Sequence, residues 1–294
     1  MTTATRESAL VSPARLEARL EDPDLRVFDC SVHLGGGGAT AGRDVYDAGH
    51  LPGAGFIDLL ADLSDPNAAL AFTRPTAEQL RESLSRLGIS HSSRVVLYSG
   101  TDVMWATRAW WVLRYAGLDG ASVLDGGLGR WKAEARALST DAASYPPASF
   151  EPRLREDVWA TREQVLAAIG DGSVCTLDAL PEPIHRGEVN LGYARPGHVK
   201  GSENVSFMRL VDRETGAFLP DDRLREQFRE SGALERERVI SYCGGGIAAT
   251  SNALALVILG HPHVAVYDGS LDEWSRDASL PMESAAGSDD TRRG

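Results

Sequence analysis

The sequence predicts an α/β protein made by tandem duplication of one domain, each copy a parallel sheet with helices on both faces. Three observations predict this. First, nearly the whole chain repeats itself. His50 in "YDAGHLPGAGFIDL" (46–59) lies 148 residues before His198 in "ARPGHVKGSENVSF" (194–207), Arg94 opens "RVVLYSG" 144 residues before Arg238 opens "RVISYCG", and Trp131 closes "ASVLDGGLGRW" 143 residues before Trp274 closes "VAVYDGSLDEW". A shift this steady is what a duplicated domain leaves, and it is far longer than any solenoid repeat. Second, short β-rich runs alternate with helical ones in each copy, the signature of a parallel sheet. Third, 294 residues with 43% apolar side chains are enough for two ordinary domains with their own cores.

Each copy has the same order of elements. A β-rich run ends in an acid, "LRVFD" at Asp29 and "VCTLD" at Asp178. The Gly-His segment follows, then an extended piece, "GFIDL" or "ENVSF". The next helix, "TAEQLRESLSRLG", opens with Thr76 and Gln79 at capping-box spacing and stops at Gly88, and its counterpart is "DDRLREQFRESG". A buried strand (95–98 or 239–242), a turn, an apolar helix and a last strand ending at Asp125 or Asp268 complete the copy. The expected boundaries are 8–140 for the first domain, 141–157 for an extended linker with three prolines, 158–282 for the second domain and 283–294 for a disordered polar tail.

Bulk properties exclude several functions. A net charge of −12 leaves no general basic face for nucleic acid. The longest apolar stretch, 253–259, is too short to span a bilayer, and the N-terminus lacks the apolar core of a signal peptide. Cys30, Cys175 and Cys243 have no metal-type spacing and cannot all pair. This points to a reducing, cytoplasmic setting with a free thiol, and to no metal or cofactor.

The stretch "VISYCGGGIAAT" (239–250) carries the chemistry. A short strand delivers Cys243 to the carboxyl end of the sheet, where ligands of such sheets bind. Gly244, Gly245 and Gly246 let the backbone curl so that several N–H groups aim at one point, and the helix that follows adds positive potential. A sulfur there is expected to have a lowered pKa and to act as a nucleophile. The matching turn of the first copy, Ser99-Gly100-Thr101-Asp102, keeps neither the cysteine nor the glycine run. Two other readings compete. Gly244-x-Gly246-x-x-Ala249 matches a dinucleotide fingerprint, but the further strands of such a sheet do not follow. A Cys-x5-Arg phosphatase loop would need an arginine where Ala249 stands.

Over about residues 8–282 the chain resembles the two-domain rhodanese-type sulfurtransferases. "YDAGHLPGA" (46–54) resembles the family's first signature. "VAVYDGSLDEW" (264–274) resembles its second, with Leu271 in place of an aromatic. The resemblance implies an inactive first domain and an active second one. It also implies a catalytic cysteine, Cys243, heading a six-residue loop completed by Gly244, Gly245, Gly246, Ile247 and Ala248. The implied reaction takes a sulfane sulfur from a small-molecule donor, thiosulfate or 3-mercaptopyruvate, onto Cys243 as a persulfide, and passes it to cyanide, a thiol or a protein acceptor. Gly244 stands where thiosulfate-preferring members carry a basic residue. Gly245 and Ala248 stand where mercaptopyruvate sulfurtransferases carry serine and threonine. Arg186 and Arg195 resemble the family's carboxylate-binding arginines. Asp44, His50 and Arg108 are candidate contributors from the first domain. His50 and His198, present in both copies, are also expected to brace the fold. Cys30 and Cys175 are expected to be inert packing, and Trp105, Trp110 and Trp111 core. A persulfide carrier with little turnover and a catalytically dead scaffold are the alternatives to an enzyme.

Overall fold

The computed structural model describes residues 5–35 and 38–285. The described chain divides into two compact units: residues up to Glu156 with Val211–Phe218, and Asp157–Leu210 with the residues from Leu219 onward.

The first unit holds a parallel sheet of β1 (Leu10–Val11), β2 (Leu25–Asp29), β3 (Gly55–Phe56), β4 (Arg94–Tyr98) and β5 (Ala121–Leu124), in the order β1-β5-β4-β2-β3. The second unit repeats it with β6 (Trp159–Ala160), β7 (Val174–Asp178), β8 (Glu203–Asn204), β9 (Arg238–Tyr242) and β10 (Val264–Tyr267), in the order β6-β10-β9-β7-β8. Even the register is copied. Leu25 to Asp29 pair with Arg94 to Tyr98, and Val174 to Asp178 pair with Arg238 to Tyr242. Every pairing within these two five-stranded sheets is parallel, so the turns after β4 and β9 open at the same edge of their sheets.

The helices form where the patterning requires. In the first unit, α1 (Ala77–Arg86) starts on the expected box: Thr76 and Gln79 exchange side-chain and backbone hydrogen bonds. The next helix, α2 (Val103–Tyr115), packs on β4 and β5 and buries Trp105, Trp110 and Trp111 as expected. In the second unit, α3 (Asp221–Arg229) is the counterpart of α1. The helix α4 (Ala249–Ile258) is buried on every side, which is why its sequence is apolar all round. Equivalent aromatic residues do equivalent work. Tyr98 and Tyr242 hydroxyls accept from the amides of Leu51 and Val199, at 3.2 and 3.1 Å. The indoles of Trp131 and Trp274 donate to the carbonyls of Ala137 and Pro281.

Three segments differ from expectation. The proline-bearing stretch after residue 140 is extended, but it is pinned along the first unit. Phe150 is buried, the Tyr145 hydroxyl accepts from Val27 N–H and donates to the Gly53 carbonyl, and Arg153 and Arg155 amides bond to Ala116 and Tyr115. One phenyl and one phenol among small residues are enough to anchor it. Val211–Phe218 groups with the first unit, where the Phe218 amide donates to Asp125 at 2.8 Å. Met282–Glu283 pairs antiparallel with His198–Val199, so residue 283, expected in the tail, lies in a strand; residues 286–294 of the expected tail lie outside the described residues.

Candidate active site

Cys243 follows β9 and is almost fully buried. Its position is fixed from the segment after β10. Its N–H donates to the Ser270 hydroxyl at 3.1 Å, and that hydroxyl donates to the Tyr267 carbonyl at 2.8 Å. Its carbonyl accepts from the Leu271 amide at 3.0 Å, and the Gly244 carbonyl accepts from the Asp272 amide at 2.8 Å. These amides open α5 (Ser270–Trp274) and have no partner inside their helix, so the cysteine turn satisfies them. This is the physical link between "CGGG" and "YDGSLDEW". Ser270 adopts φ +49°, a left-handed backbone that serine holds only where its surroundings enforce it.

The turn then curls back over the sulfur. Gly246 takes φ +76°, which glycine alone adopts without cost. The amides of Gly245, Gly246 and Ala249 lie close enough to Cys243 Sγ to favour its thiolate. Ala249 opens α4, one residue past the loop expected from the sequence. The three N–H groups form an anion nest at a helix start.

The direction of the thiol shift corrects the sequence expectation. The nest favours the thiolate, yet the Cys243 thiol is raised above its ordinary value. Enclosure by protein is the largest cause, and the nearby Asp178 carboxylate adds to it; the three amides pull the other way without reversing the balance. The consequence is measurable. Alkylation of Cys243 by iodoacetamide is expected to quicken by about tenfold per pH unit from pH 6 to 8, with no plateau in that window, because only the thiolate reacts. A plateau near pH 7 would show that the nest outweighs burial.

The equivalent turn of the first unit is built the same way around an oxygen. Ser99 Oγ accepts from the amides of Thr101 and Asp102 at 3.1 and 3.3 Å, and the Ser99 carbonyl accepts from Leu128 N–H at 3.2 Å. Gly127, the counterpart of Ser270, has φ +56°. Scaffold and amide cradle are therefore present twice, and the sulfur once.

Comparison with known proteins agrees with this duplicated plan. The rhodanese-like domain model matches residues 12–134 and again 161–277. The chain belongs to the rhodanese-type sulfurtransferase family. It is 35% identical over 281 residues to a probable 3-mercaptopyruvate sulfurtransferase of Pseudomonas aeruginosa, covering 93% of this chain and 97% of that one. It is 31% identical over 285 residues to the sulfur carrier protein TtuD of Thermus thermophilus, covering 93% and 95%. Among solved structures it matches SseA of Escherichia coli, described as a 3-mercaptopyruvate sulfotransferase of rhodanese fold, with a TM-score of 0.79 and 29% identity over 90% of this chain and 98% of that one.

The remaining candidate residues of this rhodanese-type chain fall in varied places. Arg195 commits its guanidinium to four main-chain carbonyls, those of Trp274, Ser275, Asp277 and Leu280, at 2.6–3.1 Å. It caps the end of α5, so its donors are taken by the protein rather than offered to a carboxylate. Arg186 is half exposed and pairs with Glu188 at 2.7 Å. In the first unit, His50 is fully buried. Its two ring nitrogens face the carbonyls of Tyr46 and Asp141, and its ring stacks on Tyr46. That is a bracing arrangement rather than one for moving protons, and His198 repeats it with Nδ1 on the His185 carbonyl and its ring stacked on His185. Asp44 is exposed and bonded to His33 at 2.8 Å, which lowers its carboxyl below the usual range. Arg108 is buried and donates to the Phe72 carbonyl, so it is not a surface residue.

Cys30 and Cys175 are buried without an amide cradle. Burial raises the Cys30 thiol well above its ordinary value, and pushes that of Cys175 up to about 12. Asp29 and Asp178 close the turns after their strands, accepting from the amides of Ser31 and Leu180. Among the described residues, no cluster of His, Cys, Asp or Glu side chains could hold a metal, and no helix is long and apolar enough to cross a membrane. Sequence reasoning missed Ala249, Ser270, Tyr193 and Asp272 at this site. Tyr193 and Asp272 crowd the glycine turn: a Cβ on Gly244 would lie 2.1 Å from the Tyr193 hydroxyl, and one on Gly245 would lie 3.2 Å from Asp272 Oδ2.

Proposed function

We propose that this chain transfers a sulfane sulfur from thiosulfate or 3-mercaptopyruvate to cyanide or a thiol, with Cys243 as its nucleophile. The convergence of three amides on Cys243 Sγ carries the reading. In the first half-reaction the thiolate attacks the donor's transferable sulfur. The new S–S bond forms as the donor's own bond to that sulfur breaks. The electron pair leaves with sulfite, or with the enolate that is protonated to pyruvate. Cys243 then holds a persulfide whose charge the nest stabilises. In the second half-reaction the acceptor attacks the outer sulfur and the Cys243 thiolate is restored. No external oxidant or reductant is needed. The first unit supplies no second nucleophile, because Ser99 occupies the matching turn.

The test offers each donor separately to the protein, scores thiocyanate formed from cyanide, and weighs the intact protein after donor alone. The expected result is catalytic thiocyanate with at least one donor, and a mass gain of one sulfur atom that maps to Cys243. Absence of both would refute the proposal. Likeness to a protein named as a sulfur carrier favours a second reading, that of a persulfide relay serving a protein acceptor. That reading expects one sulfur loaded per chain and negligible turnover with small acceptors.

A further inference from the structure

Gly244 raises a question that the sulfur-transfer reading leaves open: the residue beside the nucleophile has no side chain, although the loop does not need one of its conformations there. Gly244 is not among the positive-φ glycines. Its constraint is spatial. A Cβ at this position would lie 2.1 Å from the Tyr193 hydroxyl, 3.1 Å from its Cζ and 3.4 Å from its Cε1, well inside contact distance. The phenol tip occupies the place where a side chain at 244 would be.

Tyr193 is held there by its own loop. Asn190 Oδ1 accepts from the amides of Gly192 and Tyr193 at 3.0 and 2.9 Å, and Asn190 Nδ2 donates to the Tyr193 carbonyl at 3.0 Å. The ring is half-buried. Enclosure and the neighbouring Cys243, Asp272 and Asp178 charges all raise its phenol, so it is a neutral donor throughout the working range. Among the described residues the hydroxyl makes no hydrogen bond to the protein. Asp272, the other side chain against the glycines, is a carboxylate and can only accept when ionised.

We propose that Tyr193 is the side-chain hydrogen-bond donor to the sulfur carried on Cys243, and that Gly244 is glycine to give the phenol room. This rests on the assignment of Cys243 as the nucleophile. The phenol, standing over Gly244 next to Cys243, adds a fourth donor to the three amides for the outer sulfur of a persulfide. It stabilises that sulfur's negative charge in both half-reactions, and so acts with either donor molecule.

The experiment compares wild type, Tyr193→Phe, Gly244→Ala and the double variant in full-length protein. It measures kcat and KM for each donor, and the rate at which a preformed persulfide discharges to cyanide. Removing one oxygen is expected to lower kcat by roughly ten- to a hundredfold, with a smaller change in donor KM and unchanged melting temperature. Gly244→Ala, which pushes the phenol away, is expected to lower kcat by a similar factor. The double variant is expected to fall little below either single one, because both changes remove the same bond. A Tyr193→Phe enzyme with wild-type kcat, or fully multiplicative losses in the double variant, would overturn the proposal while leaving Cys243 in place. Wild-type protein that takes up no sulfur at Cys243 would overturn both.

Discussion

Cys243→Ser is expected to lower sulfur transfer by a thousandfold or more on the order-of-magnitude scale of lost nucleophiles, while leaving the melting temperature nearly unchanged. The two halves of this statement rest on different residues. The loss follows because an alcohol is not ionised at neutral pH and the other two thiols cannot substitute. Cys30 and Cys175 are buried, their pKa values are raised, and no amides cradle them. The unchanged stability follows from the first unit, which already holds a hydroxyl in the same turn. Ser99 Oγ accepts two loop amides there, and its carbonyl takes the Leu128 amide as Cys243 takes that of Leu271. A serine at 243 would meet the Gly245, Gly246 and Ala249 amides in the same manner, so a stability change within about 1 kcal/mol is expected. Thiocyanate production and thermal unfolding measured on one preparation check both. Activity near wild type would remove Cys243 from the mechanism. A collapse of stability would mean that the two turns are not equivalent.

That equivalence was largely readable in the chain. The offsets of 143–148 residues showed two copies of one domain with elements in the same sequence, and the two sheets share strand order and register because each copy must place the same strand beside the same neighbour to bury the same apolar set. Cys243 stood out for the complementary reason: the copy at Ser99 kept the turn and dropped the sulfur and glycines. What escaped depends on contacts distant in sequence. Arg195 precedes Pro-Gly-His much as a substrate-binding arginine would, and nothing local shows that four carbonyls around the end of α5 already claim it. Tyr193 lies fifty residues before the cysteine in a loop without periodicity. Its one sequence signal was negative, a glycine at 244 where thiosulfate-preferring members carry a basic residue. The sign of the Cys243 shift was misjudged because the sequence displays the amides that favour an anion, but not the enclosure that opposes it.

Enclosure also governs how the fold responds to alkali, and the second large effect follows from it. Cys30 and Cys175 have folded-state pKa values above the unfolded value of about 8.5: Cys30 well above its ordinary range, Cys175 at about 12. A group raised on folding leaves stability intact below its unfolded pKa. As pH climbs from that value towards the folded one, the unfolded chain ionises while the folded chain cannot, and stability is lost. Each unit of pH in this window costs about 1.4 kcal/mol per thiol. From pH 8.5 to 10 the Cys175 thiol therefore removes roughly 2 kcal/mol from the ~5–15 kcal/mol that holds a typical domain folded, and the Cys30 thiol acts in the same direction in the other unit. The loss falls on both units, since Cys30 sits after β2 in the first and Cys175 within β7 in the second. Cys243 adds to it in the same direction, moderated by its three amides. Denaturant unfolding at pH 7.5, 8.5, 9.5 and 10 is expected to show a flat region followed by a steep decline. Cys30→Ala with Cys175→Ala should flatten that decline while leaving Cys243 to react. A double variant that loses stability with alkali as steeply as the wild type would place the sensitivity in other groups. The raised phenols of Tyr98 and Tyr242, with their higher ordinary pKa, would then be the next to replace.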